Sequence, residues 1–206
     1  MNVRWIGRVG YEAGVELQTE VRERVIAGAD DECLLLEHDP VVTLGKRGGV
    51  VDRSALERLA TPVIATERGG FATWHGPGQL VAYPIVDTRR LGFGVRDLVT
   101  RLGEVMIGIA EGFGVRGVVY DLERPGVYLD GKKLGSIGLH LTHGVSMHGL
   151  AINVCNGLEG FGAIDPCSLQ IQVTTIALAS GRPASVEQAV ELAEPLLHRL
   201  LRAKAT

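Results

Sequence analysis

Three stretches hold residues whose types and spacing could do chemistry. In "IDPCSLQIQVTT", Cys167 follows Pro166 directly and precedes the polar residues Ser168, Gln170 and Gln172. Pro166 biases Asp165 toward extended backbone, so this thiol is expected in a polar loop that faces a cleft, just ahead of a helix. A cysteine attacks as its thiolate and needs a base or a cation beside it. Lys133 and six histidines are available, and spacing alone does not choose among them. The other two cysteines read as structural, because Cys33 opens the apolar run "CLLLE" and Cys155 closes "LAINVC".

The second stretch is "DGKKLGSIGLHL". At period two, Lys133, Gly135, Ile137, Leu139 and Leu141 share one face, while Lys132 falls on the other. Lys133 is then in phase with the apolar side, beside the empty side-chain position of Gly135. A lysine on such a face loses ammonium solvation, which lowers its pKa. The competing reading is an ordinary lysine snorkelling at a strand start.

The third stretch is "RGGFATWHGPGQLVAYPIVD", from Arg68 to Asp87. A loop this rich in glycine and proline is not expected to fill a core. It can present backbone N–H groups to a ligand, with Arg68 adding a charge. The alternative is a tight turn around a structural His75. In "MHGLAIN", His148 runs in phase with Leu150, Ile152 and Val154 and reads more readily as a satisfied core residue than as a ligand. No Walker A pattern occurs, which speaks against a P-loop nucleotide site.

These residues need a frame, and hydrophobic periodicity supplies one. The spacing predicts helices over Tyr11 to Ile26 and Asp97 to Phe113. It predicts short buried strands at "CLLLE" and "VVTL" and another short strand at "TPVIAT". Asp130-Gly131 suits a type I′ hairpin turn. Long strands are expected over Lys132 to Leu141 and Val145 to Val154. Ser185 with Gln188 forms a capping box for a last helix, which Pro195 is expected to kink or divide. Helices interspersed with hairpins give an α/β or α+β fold with a mixed, largely antiparallel sheet.

The 206 residues suffice for one domain with a sizeable core, and residues 1–206 show no linker or repeat. A net charge of −3 gives no sign of nucleic-acid binding. Glycine is the outlier, with 28 residues, about twice the usual roughly 7%. No apolar run reaches the roughly 20 residues of a membrane span, and the N-terminus lacks a signal-peptide core. Three cysteines without a CxxC pair fit a reducing compartment, so a cytoplasmic chain is expected.

Taken together, "LLLEHDPVVTLGKRG", "RGGFATWHGPGQLVAYPI", "GVYLDGKKLGSIG", "HGLAINV" and "IDPCSLQIQVTTI" resemble the lipoyl(octanoyl) transferases in order and spacing, over roughly residues 33 to 176. The sequence departs from the family pattern at Ser168 (usually glycine), Trp74 (commonly tyrosine) and Gly135 (usually alanine or cysteine). The aligned thiol and lysine are both retained.

The resemblance implies a single catalytic domain with the fold of the biotin and lipoate protein ligases. It implies a catalytic pair of Cys167 and Lys133. It assigns acyl binding to Arg68, Gly69, Gly70, Phe71, Ala72, Thr73, Trp74 and His75, to Ser136, Ile137 and Gly138, and to Gly149, Leu150 and Ala151. The implied reaction moves an octanoyl or lipoyl group from acyl carrier protein to a lysine of a lipoyl domain through a cysteine thioester. The implied acceptors are the E2 subunits of 2-oxoacid dehydrogenases and the glycine cleavage H protein. No cofactor, metal, membrane or nucleic acid is implied, and a monomer is expected. The exposed cations Lys46, Arg47, Arg89 and Arg90 are candidates for docking an acidic carrier protein. Two rival readings are an ATP-dependent lipoate or biotin ligase on the same fold and a non-catalytic acyl binder.

Overall fold

The computed structural model describes residues 1–165 and 172–202. In chain order the elements are β1 (Asn2–Val9), α1 (Tyr11–Ile26), β2 (Glu32–His38), β3 (Val41–Leu44), β4 (Val50–Val51), α2 (Arg53–Arg58), β5 (Val63–Ala65), β6 (Thr73–His75), β7 (Gln79–Ile85) and α3 (Thr88–Leu91). They continue with α4 (Val95–Gly112), β8 (Val119–Asp121), β9 (Gly126–Leu129), β10 (Lys132–Thr142), β11 (Val145–Asn153), α5 (Glu159–Gly162), β12 (Ile164–Asp165), α6 (Ile176–Ser180) and α7 (Val186–Leu200).

Seven strands form the main sheet in the order β1-β2-β7-β11-β10-β9-β8. Only β1 and β2 run parallel within it; the other neighbours are antiparallel. The expected mixed, largely antiparallel sheet is therefore present. Period-two alternation sorts its side chains into two apolar layers. Cys33, Leu35, Leu80, Ala82, Leu150 and Ile152 pack with α4 and α7 on one face. Leu34, Leu36, Val81, Tyr83, Ile85 and Ala151 pack with Val21 and Val25 of α1 on the other. A small sheet, β5-β3-β6, stands apart with its own core of Val42, Leu56, Trp74 and Ala163.

Local signals account for much of this. Asp130 (φ 49°) and Gly131 (φ 77°) take the two left-handed positions that a type I′ turn requires, which pairs β9 with β10. At the start of α7, Ser185 Oγ accepts from the Gln188 amide and Gln188 Oε1 accepts from the Ser185 amide. Pro195 does not divide the last helix, which runs on through it from Val186 to Leu200. The ring lies on the exposed side of α7, so the Glu191 carbonyl it leaves unpaired can turn to water. Among the described residues, no helix is long and apolar enough to cross a membrane.

The glycine-rich stretch meets a hard limit at Gly78. Its φ is 87°, and a Cβ there would come within 2.6 Å of the Asn156 amide nitrogen. Gly78→Ala should cost about 1–3 kcal/mol through backbone strain and overlap, read as a Tm several degrees lower in thermal unfolding followed by circular dichroism. An unchanged Tm would show that this turn is not fixed as described.

Candidate active site

A cavity of about 690 Å³ opens on the α1 face of the main sheet. Its wall is built from segments far apart in sequence. Register pairs Ser136 with Ala151, Ile137 with Leu150, and Gly138 with Gly149 across β10 and β11. The glycine-rich segment docks against the same strands, with the Gly69 amide donating to Leu139 O at 2.9 Å. Gly138 permits this approach, because a Cβ there would lie 2.8 Å from Gly69 O. Of the residues proposed for acyl binding, all but Trp74 line the cavity.

Trp74 turns the other way. β6 alternates, so Thr73 and His75 face the cavity while the indole packs edge-on against Phe161, 5.4 Å between centroids. The expectation that this segment stays out of any core is thus corrected. Arg68, Ala72, Trp74 and His75 are all buried, and Trp74 joins the core of the small sheet.

Lys133 also lines the cavity, but not for the reason its strand phase suggested. The pairing of β10 with β9 slips between Lys133 and Gly135. Such a bulge lets two successive residues face the same way. Leu134 is fully buried in the α4 layer, and a Cβ on Gly135 would meet Met106 Cε at 2.1 Å. Gly135 therefore faces α4, while Lys133 is half-buried on the cavity side. Its Nζ sits 5.4 Å from the Tyr128 ring centroid.

Both main-chain groups of Lys133 are committed. Its amide donates to Gln172 O at 2.8 Å, and its carbonyl accepts from the Thr174 amide at 2.9 Å. Cys167 and Ser168 lie outside the described residues. The described chain on either side of them reaches the cavity, through Ile164 before and Val173 after.

Arg68 is a buried cation. Its Nε donates to Thr43 Oγ1 at 3.1 Å, its Nη2 to Thr43 O at 2.6 Å, and its Nη1 to Gly69 O at 3.0 Å. Burial lowers its pKa, yet an arginine starts so high that it keeps its charge.

Around it lies a group of rings that sequence reasoning largely missed. Tyr11 stacks on His75 at 6.4 Å, and Tyr83 meets His148 edge-on at 6.1 Å. Val81 and Tyr83 share a face of β7, a period-two signal that could have found the tyrosine. His148 takes φ 59°, leaves the alternation of its strand, and joins the cavity wall. Its phase with Leu150 and Ile152 was therefore misleading. His38 donates from Nδ1 to Val9 O at 3.0 Å and accepts at Nε2 from the Tyr83 hydroxyl at 2.7 Å.

The remaining candidates divide. Cys33 is buried and its thiol pKa is raised by burial, as a core residue should be, while Cys155 is exposed. Lys46 and Arg47 line the cavity, Lys46 paired with Glu67 and Arg47 over Phe71. Arg89 and Arg90 do not line it and pair with Asp87 and Asp31. Among the described residues, no cluster of three or more His, Cys, Asp or Glu could hold a metal ion.

With the geometry in place, relatives can be compared. The family model of the lipoyl protein ligase A/B catalytic domain matches residues 11–195. An octanoyltransferase of Pseudomonas fluorescens (strain Pf0-1) is 39% identical over 207 residues, covering 100% of this chain and 95% of that protein. An octanoyltransferase of Thiobacillus denitrificans is 41% identical over 199 residues, covering 97% and 90%. Among solved structures, a bi-partite lipoate protein ligase from Thermoplasma acidophilum superposes with a TM-score of 0.74 at 14% identity, covering 98% of this chain and 84% of that one. A biotin protein ligase from Aquifex aeolicus in complex with biotin and ATP gives 0.59 at 15%, covering 97% and 70%. The distant structures share the fold, and the nearly full-length sequence matches narrow the kinship: the chain belongs to the octanoyltransferases of the lipoyl protein ligase A/B catalytic domain family.

Proposed function

We propose that the protein transfers an octanoyl group from acyl carrier protein to a lysine of a lipoyl domain, with Cys167 as acyl carrier and Lys133 as its partner. The observation that carries this reading is the meeting of Lys133, the glycine-rich segment and both described flanks of Cys167 at one cavity. Octanoyltransferase kinship supplies the acyl group.

In the proposed reaction the Cys167 sulfur attacks the carbonyl of the donor thioester. Lys133 takes the thiol proton and returns it to the departing carrier thiol. An octanoyl-Cys167 thioester remains. The ε-amine of the acceptor lysine then attacks that carbonyl, forming an amide, and Cys167 leaves with a proton as the free thiol. One thioester replaces another in the first half, and aminolysis runs downhill in the second, so no nucleotide is consumed. Thiolate character on Cys167 is favoured by an adjacent Lys133 cation.

Burying the acyl chain contributes about 0.8 kcal/mol per CH₂. The histidines of the wall add no charge to its surroundings, because they stay neutral. Burial, reinforced by neighbouring His38 and Arg68, lowers the His75 pKa to about 3. Burial and then Arg68 lower His148 to about 4.

Two predictions follow from these roles. Incubation with octanoyl-acyl carrier protein should add one octanoyl mass at Cys167 without ATP, seen by mass spectrometry. Cys167→Ser should abolish the labile adduct, and Lys133→Ala should slow its formation by about 10²-fold or more. An adduct that persists unchanged in site and lability in Cys167→Ser would remove the nucleophile. Turnover that requires ATP and free acid would favour a ligase instead.

The second concerns pH. Both histidines have folded pKa values below the ordinary 6.5, so the unfolded chain binds protons first as the medium acidifies. Their contribution to stability is complete above that ordinary value and is lost as pH falls toward about 4 and about 3. Each can cost up to about 1.4 kcal/mol per pH unit inside that window. Urea unfolding at pH 7 and pH 5 should therefore show a smaller loss in a His75→Gln, His148→Gln double variant than in the parent. Equal losses would show that these rings are not held neutral.

A further inference from the structure

Gln79 and Asn153 are cross-strand partners on β7 and β11, and the reaction above does not use them. Both are 2% exposed. A buried amide must satisfy both its ends. Asn153 Nδ2 donates to Thr174 O at 3.1 Å. Gln79 Nε2 donates to Asn153 Oδ1 at 2.9 Å and to Trp74 O at 3.3 Å. Thr174 O and Trp74 O are main-chain carbonyls, which only accept, so the orientation of each amide is fixed.

The direction then propagates. Gln79 Oε1 must accept from His75 Nδ1, at 2.7 Å. His75 Nε2 is left as an acceptor, 3.4 Å from Thr43 Oγ1, and that oxygen in turn accepts from Arg68. A directed row of hydrogen bonds thus runs from the cation of the glycine-rich segment to the carbonyl of Thr174. At its end, the Thr174 amide donates to the Lys133 carbonyl.

We infer that Asn153 is a positioning residue for the reaction: its amide pins Thr174, and with it the described main chain that follows Cys167, against Lys133. His75 and Gln79 hold that amide in its donating orientation. The inference rests on the Cys167 and Lys133 roles proposed above. A pair of amides that merely satisfied each other in a core would affect stability alone. A clamp also governs the acyl step.

Asn153→Asp separates these. It is nearly isosteric, but it replaces the Nδ2 donor with an oxygen facing the Thr174 carbonyl. With octanoyl-acyl carrier protein as probe, single-turnover acylation of Cys167 is measured over a range of donor concentrations. The comparison is made at a temperature where variant and parent have the same circular dichroism. The limiting rate should fall by about 100-fold, the scale of a small misplacement of reacting groups. Half-saturation should stay within about threefold, since binding contacts remain. Gln79→Glu should show the same split, because it removes the donor to Asn153 Oδ1. A parental limiting rate in a folded Asn153→Asp, or a loss confined to half-saturation, would overturn the clamp. Absence of any Cys167 adduct in the parent protein would instead overturn the nucleophile assignment on which the clamp rests.

Discussion

Lys133 gives both of its main-chain hydrogen-bonding groups to residues 172–174, and the site is organised around that pairing. Placement of the lysine at the cavity depends on the slip of β10 against β9 just beyond it. Without the slip, strict alternation would turn Lys133 to the same side as Gly135, into the layer that packs on Met106. With it, the lysine side chain faces the cavity and the backbone edge at residue 133 is available to another segment. One irregularity therefore sets the lysine's direction and provides the edge on which the chain downstream of Cys167 is aligned.

The sheet around this pairing divides its labour between its faces. Toward α4 and α7 it is a dry layer of aliphatic side chains, where overlap is tightly constrained. Toward α1 the same strands contribute apolar groups at one end and the cavity at the other. Arg68 and the rings around it lie where these zones meet. The desolvation that depresses the histidine pKa values also makes the hydrogen-bonded rows there costly to break.

Much of the frame was legible in the sequence. The stripe of α1, the Asp130-Gly131 turn and the Ser185 cap are local signals, and local signals act within a few residues. β1 was not foreseen, because an edge strand covered on one side only has weak alternation. The pairing of β4 with β12 was not foreseen either, since two-residue strands exist only through each other. At the site, the cross-strand partners on β10 and β11 were reached through family likeness, not periodicity. Periodicity named Lys133, but by an alternation that the slip interrupts. It misdirected His148, whose left-handed backbone breaks the phase of β11. Tyr11 and the Gln79–Asn153 pair were missed because what marks them is contact between strands and helices distant in sequence, whereas Tyr83 carried a period-two signal along β7.

The turn of Trp74 away from the cavity has a consequence for how such a chain can vary. Its indole lies where a Cβ on Gly76 would be 2.3 Å away and a Cβ on Gly160 2.1 Å away. Gly160 belongs to the short helix that leads into β12 and the described upstream flank of Cys167. The tryptophan thus acts as a wedge between the glycine-rich segment and the approach to the thiol. Positions 74, 76 and 160 are not free to drift separately. A smaller ring at 74 would release two glycines from their obligation, whereas a side chain at either glycine would first require the indole to move. Substitutions at these three places should be inherited as a set.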